Sequence, residues 1–193
     1  MALSTGSKRV KTAVFISGTG SNLKSLIKFS KLKKSPISIE LIVSNNPKSK
    51  GLHFGKIFKI RKKIFNFKKQ TITEKEILLY LKKRKINLIC LAGFLKILSK
   101  NFIQNFDGKI LNIHPSLLPK YKGLNTHKRA IINKDEHSGC TVHFVNSKLD
   151  SGKIINQKKV KINKSDTPQS LAKKVLAQEH KLYPKAILKI FSL

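Results

Sequence analysis

Asn112 and His114 stand two residues apart where an apolar run gives way to proline, in Ile110-Leu111-Asn112-Ile113-His114-Pro115. In a strand, residues i and i+2 project to one face, so this spacing predicts an amide and an imidazole side by side at a strand's carboxyl end. A hydrogen-bonding amide beside an imidazole at a strand end suits chemistry at a carbonyl carbon. The plainer reading of His114 is a buried ring satisfied by a backbone carbonyl. Asp150, in Lys148-Leu149-Asp150-Ser151-Gly152, is a possible acid/base partner. A carboxylate beside an imidazole raises its proton affinity. Asp150 equally fits an ordinary turn before glycine, and spacing alone leaves both readings open.

A second candidate is Gly18-Thr19-Gly20-Ser21-Asn22, placed between an apolar strand and the helical pattern of Leu23, Leu26 and Ile27. Backbone N–H groups and the positive end of a helix can hold a phosphate there. The motif is neither a dinucleotide fingerprint nor a Walker loop: Leu23 stands at the third glycine position, and Gly-Lys-Ser/Thr is absent. A plain tight turn remains its alternative. Gly93, ending the apolar run Leu88–Ala92, allows close approach of a ligand to backbone, and Leu91–Leu98 could wall a slot for a flat heterocycle. His143, between Val142 and Phe144, reads as structural, and His127 and His180 as packing or capping residues on helices.

The elements that must position these groups follow from periodicity. Val10–Ser17, Ile37–Val43, Ile86–Ala92, Lys109–Ile113, Gly139–Asn146 and Ile154–Ile162 read as strands. A helix is expected near 50–58 and a short strand near 60–65. Thr73 with Glu76 reads as a capping box opening a helix. Ser99–Phe106 and Thr126–Asn133 read as helices. Thr167-Pro168 opens the last helix, with a break expected near Pro184. Alternating strands and helices predict an α/β fold: a Rossmann-like, mainly parallel sheet flanked by helices. The 193 residues suit one domain, with residues 1–9 as a lead-in.

The formal charge of +32 would suit a polyanionic partner, but the lysines are scattered and lack aromatic–basic interleaving. Abundant lysine, isoleucine, asparagine and phenylalanine, with no tryptophan, point to AT-rich coding instead. We expect no specific nucleic-acid partner. Cys90 and Cys140 lack metal-ligand spacing, so no metal is expected, and reduced thiols suit the cytoplasm. The longest apolar run is too short to span a bilayer, and no signal peptide precedes the first strand.

Six segments in order, ISGTGSNLKSLI (16–27), LAGFLKILS (91–99), LNIHPSLLPKYKGLNTHKRAI (111–131), GCTVHFV (139–145), LDSGKIINQ (149–157) and QEHKLYP (178–184), together resemble the phosphoribosylglycinamide formyltransferases. The resemblance implies a direct transfer of the formyl group of 10-formyltetrahydrofolate to the amine of 5′-phosphoribosylglycinamide. It implies Asn112, His114 and Asp150 as catalytic groups, with Asp150 keeping His114 protonated. Gly20, Ser21, Asn22 and Glu179 would bind the ribonucleotide; Leu95, Lys96, Ile97, Leu98 and Asn112 would bind the folate. The partners would be small molecules, and the chain a monomer or homodimer. Two departures stand out. The family's folate-binding arginine has no counterpart in Lys68-Lys69-Gln70, where lysine cannot offer the same bidentate fork. Ser151 replaces a commoner glycine. Methionyl-tRNA formyltransferases resemble this fold with an added carboxyl-terminal domain, for which no room is expected after Leu193. Formyltetrahydrofolate deformylases share a similar catalytic trio but usually carry a further regulatory domain.

Overall fold

The computed structural model describes residues 9–191. The first half of the chain runs β1 (Val10–Ile16), α1 (Ser21–Ser30), β2 (Ile37–Ser44), α2 (His53–Ile57), β3 (Arg61–Ile64), α3 (Gln70–Lys83) and β4 (Leu88–Leu91). The second half runs α4 (Lys100–Asn105), β5 (Lys109–His114), α5 (Thr126–Ile132), β6 (His137–Phe144), β7 (Ile154–Lys161) and α6 (Pro168–Phe191). One sheet takes the order β3-β2-β1-β4-β5-β6-β7. Its first five strands pair in parallel, while β6 and β7 are antiparallel to their neighbours. The expected α/β architecture is therefore present, with β5 as the seam between two pairing modes.

Alternation along β1 divides the core. Val14 and Ile16 face a cluster with Leu23 and Leu26 of α1 and Val175, Leu182 and Ile187 of α6. Ala13 and Phe15 face Ile77 and Leu81 of α3 and Phe102 of α4 on the other side. Each wholly buried Leu, Ile or Phe contributes roughly 1.5–3 kcal/mol relative to exposure. Tyr183 of α6, wholly buried, reaches the Leu91 and Leu111 carbonyl oxygens at 3.1 Å each with its hydroxyl, pinning the helix over β4 and β5. Lysines crowd both edge strands, β3 and β7, where charge opposes edge-to-edge pairing with another sheet.

Two expectations need correction. Helix α3 starts at Gln70, so Thr73 does not cap it. The Thr73 hydroxyl instead donates to the Asn66 and Lys69 carbonyls, inside the first helical turn. Helix α6 runs unbroken through Pro184. Proline lacks the N–H that would bond the carbonyl four residues back, and that carbonyl, on His180, accepts the Ser25 hydroxyl of α1 at 2.8 Å. Arg9, the one described residue of the expected lead-in, is tied down: its guanidinium donates to the Ser30, Leu32 and Lys33 carbonyls past the end of α1. The rest of that segment lies outside the described residues.

Candidate active site

The parallel strands end on one side of the sheet, where ligands of such folds bind. Asn112 and His114, from β5, line a cleft there of about 560 Å³ with Asp150 and His143. Larger depressions of about 920 and 850 Å³ lie beside the 134–137/161–166 turns and between α3 and α4. Size does not mark the site; convergence of titratable groups does.

The cluster has short supports behind it and long contacts within it. His114 Nε2 lies 2.8 Å from the Tyr121 carbonyl oxygen. The Gly123 N–H donates to Asp150 Oδ2 at 2.9 Å, and His143 Nδ1 lies 2.8 Å from the Phe144 carbonyl oxygen. Between the side chains the spacings are longer: His114 Nδ1 to Asp150 Oδ2, 3.3 Å; Asn112 Nδ2 to Asp150 Oδ1, 3.4 Å; Asn112 Nδ2 to His143 Nε2, 3.3 Å. The groups are fixed from the rear while their facing atoms are weakly paired, and a substrate oxygen could displace those longer contacts. Both His114 nitrogens face acceptors, so both contacts are hydrogen bonds only when the ring is imidazolium. His143 Nε2 stands between the Asn112 amide and Asp150, 3.3 Å from Asn112 Nδ2 and 3.7 Å from Asp150 Oδ1.

Burial pushes the His114 imidazole below its ordinary value, and the Tyr121 carbonyl and Asp150 carboxylate offset this only in part. The Asp150 carboxylate and the Tyr121 carbonyl are thus the groups that favour the protonated ring, against the opposing pull of burial. Burial also acts to raise Asp150, but His143, the Gly123 N–H and His114 outweigh it and hold the carboxyl below its usual range. Asp150 sits at φ +45°, a left-handed conformation uncommon outside Gly and Asn/Asp.

The other walls are backbone-rich. Leu95, Lys96, Ile97 and Leu98 line the same cleft. Their loop is tied at both ends: the Leu95 N–H donates to Ser17 Oγ at 2.8 Å, and Gln70 Nε2 donates to the Ile97 carbonyl at 2.8 Å. Glu74, buried on α3, accepts from Gln70 Nε2 and from the Ser99 N–H and hydroxyl. At the segment lacking arginine, then, a glutamine amide serves the loop wall.

Gly20, Ser21, Asn22 and Glu179 do not line this cleft; they form a neighbouring group at the end of β1. Gly20 precedes α1 at φ +75° with no side-chain cap, and the first helical bond runs from the Lys24 N–H to the Gly20 carbonyl. The N–H groups of Ser21, Asn22 and Leu23 are the helix's unpaired donors, which is what an anion needs. A Cβ on Gly20 would meet Gly51 Cα at 2.7 Å. Asn22 Nδ2 donates to Glu179 Oε2 at 2.6 Å, while Asn22 Oδ1 is buried with no partner among the described residues. Burial raises the Glu179 carboxyl, opposed by the Asn22 amide. The two groups communicate through β1: the Ser17 N–H donates to the Gly93 carbonyl at 3.0 Å.

In sequence, His143 reads as structural and His127 as a packing or capping residue, and the backbone of Tyr121 and Gly123 has no part; both histidines line the cleft. The signal for His143 is the antiparallel register, which sets it directly opposite Asn112. His127, on α5, lines the cleft with Nδ1 buried and without a partner among the described residues, and burial lowers its proton affinity. Among the described residues no cluster of three or more His, Cys, Asp or Glu could hold a metal ion, and no helix is long and apolar enough to cross a membrane.

Comparison with known proteins meets this geometry from outside. A phosphoribosylglycinamide formyltransferase from Haemophilus influenzae is 43% identical over 180 residues, covering 92% of this chain and 85% of that one. The human trifunctional purine biosynthetic protein adenosine-3 is 40% identical over 183 residues; these cover 93% of this chain, which spans only 18% of that protein. A crystal structure of phosphoribosylglycinamide formyltransferase from Brucella melitensis superposes with a TM-score of 0.89 at 40% identity, covering 95% and 96% of the two chains. The formyl transferase family model spans residues 10–187, from the first strand into the last helix. By that match, and by the sheet and cleft built on those residues, the chain belongs to the formyl transferase family.

Proposed function

We propose that this protein transfers the formyl group of 10-formyltetrahydrofolate to the amine of 5′-phosphoribosylglycinamide. The products are 5′-phosphoribosyl-N-formylglycinamide and tetrahydrofolate, a step of purine (IMP) synthesis. The observation that carries this reading is the convergence of Asn112, His114 and Asp150 in one cleft, next to an uncapped helix N-terminus.

The ribonucleotide phosphate would sit on the N–H groups of Ser21, Asn22 and Leu23 beyond Gly20. The buried Asn22 Oδ1 and the Glu179 carboxylate would accept from its ribose hydroxyls and amine, giving the unpaired oxygen a partner. A flat pterin suits the slot beside Leu95, Lys96, Ile97 and Leu98, whose backbone can read its hydrogen-bonding edge. The amine attacks the formyl carbon, and the carbonyl electron pair moves onto oxygen. That oxygen displaces Asp150 from the longer contacts and takes the Asn112 amide N–H and the His114 Nδ1–H. Asp150, freed on one side, receives the proton shed by the attacking nitrogen, directly or through a water. Collapse breaks the bond to the folate nitrogen, which takes up the proton relayed by Asp150 as it leaves. A covalent intermediate on cysteine finds no support: burial raises both thiols to about 12, and neither lines the cleft. Such buried free thiols accord with a cytoplasmic enzyme.

The test is an assay of the purified protein with both substrates, reading formation of tetrahydrofolate. The proposal expects turnover only when the glycinamide ribonucleotide is present. Equal turnover without it would mean hydrolysis, and turnover only with methionyl-tRNA would mean the other acceptor; either result rejects the proposal.

A further inference from the structure

The loop between β5 and α5, residues 115–125, embraces the His114–Asp150 pair through its backbone alone. The Tyr121 carbonyl takes His114 Nε2 and the Gly123 N–H reaches Asp150. Yet the loop is an awkward one to hold: Tyr121 has φ +55°, Gly123 +77° and Asn125 +58°. A left-handed conformation is disfavoured for an aromatic residue and persists only where its surroundings over-determine it.

The restraint comes from outside the cleft. The Tyr121 hydroxyl donates to Asp135 Oδ2 at 2.8 Å and accepts from Asn133 Nδ2 at 2.9 Å. The Arg129 guanidinium lies 4.9 Å from the Tyr121 ring centroid, and Arg129 Nη1 donates to the Lys122 carbonyl at 2.7 Å. Asp135 also receives Lys120 Nζ at 3.2 Å. Its side chain is 14% exposed and belongs to the depression by the 134–137 turn, not to the cleft holding His114. Three consecutive residues are thus gripped in turn: Tyr121 by its ring, Lys122 by its carbonyl and Gly123 by its amide.

We propose that Tyr121, Arg129 and Asp135 form a positioning clamp that keeps the Tyr121 carbonyl on His114 Nε2 and the Gly123 N–H on Asp150, orienting the proton-handling pair from behind. None of the three side chains touches substrate. Loss of the Tyr121 carbonyl removes a contact that favours the protonated ring. The other groups facing His114 stay in place: Asp150 from the 145–152 loop, His143 from β6, and His127 and Arg129 from α5. The inference rests on the proposed formyl transfer for its kinetic consequence, but its structural consequence can be read without any substrate.

The experiment compares Tyr121→Phe, Asp135→Ala and the isosteric Asp135→Asn with the parent protein. One readout is the titration of the His114 ring by NMR. We expect its midpoint to fall by about half a pH unit in Tyr121→Phe and Asp135→Ala, and by less in Asp135→Asn, which keeps an acceptor for the phenol. The second readout is the kcat against KM split: kcat falls about three- to tenfold while the KM of the ribonucleotide stays within about twofold. An unmoved His114 titration in folded Tyr121→Phe and Asp135→Ala overturns the clamp, whatever the activity. A shifted titration in a protein that transfers no formyl group upholds the clamp and rejects the proposed reaction, so the two failures are distinguishable.

Discussion

The parallel strands β1 to β5 and the antiparallel pair β6 and β7 make unequal contributions to the cleft. The parallel side brings mostly backbone: the Leu95–Leu98 loop in the cleft itself and, in the neighbouring group, the N–H groups that open α1. The antiparallel side brings side chains: His143 on β6 and Asp150 on the turn that follows it. Only β5 belongs to both, and it carries Asn112 and His114. The lesson is a division of labour. Main-chain dipoles, with little freedom to move or titrate, come from the parallel side; the clustered side chains sit where an antiparallel register can set one residue opposite another.

If that division holds, damage on the two sides has different signatures. The largest effect belongs to the antiparallel side. His114→Ala or Asp150→Ala is expected to lower kcat by about 10²–10⁴-fold, with thermal melting close to the parent's; wild-type turnover by either variant would remove the assignment. On the parallel side, Asn22→Ala is expected to raise the KM of the ribonucleotide about tenfold, the worth of one hydrogen bond to a charged group, with kcat little changed. Gly20→Ala should instead cost stability, about 1–3 kcal/mol by denaturant unfolding, because a Cβ there meets Gly51 Cα at 2.7 Å and φ is +75°.

A fourth prediction uses acid. Burial lowers His114, His127 and His180 below the ordinary imidazole value. The unfolded chain therefore takes up protons before the folded one does, and stability falls as pH drops below the ordinary histidine range, near 6.5. Asp150 acts in the same direction at lower pH: its folded value is depressed, so its contribution is present above the ordinary carboxylate range and is lost as pH falls through the folded value. The melting temperature should be lower at pH 5 than at pH 7.5, and His180→Gln should flatten that slope without touching the cleft. A slope left unchanged by that substitution would mean His180 is not among the groups responsible. The smallest effect is Ser25→Ala, which leaves the His180 carbonyl without its donor and should cost about 0.5–1.5 kcal/mol.

What the sequence made legible follows the same division. The two-residue spacing of Asn112 and His114 and the strand–glycine–helix junction at Gly20 are local patterns, and both landed where periodicity put them. That His143 sits opposite Asn112 follows only from the β5–β6 register, which its own stretch of sequence does not show. Pro184 reads locally as a helix breaker, and only the distant Ser25 hydroxyl explains why α6 continues. Thr73 and Glu76 fit a capping box by spacing, yet the chain had already entered the helix at Gln70, where Asn66 and the Lys69 carbonyl set the preceding turn. The downward push of burial on the His114 imidazole was invisible too, because burial is a property of the whole fold.

The central claim is best tested by following the one-carbon unit itself. With folate labelled at the formyl carbon, the label should appear in the ribonucleotide product, none should be released as formate, and Asp150→Ala should stop the transfer. Label accumulating as formate at the same rate with or without the ribonucleotide would contradict the account.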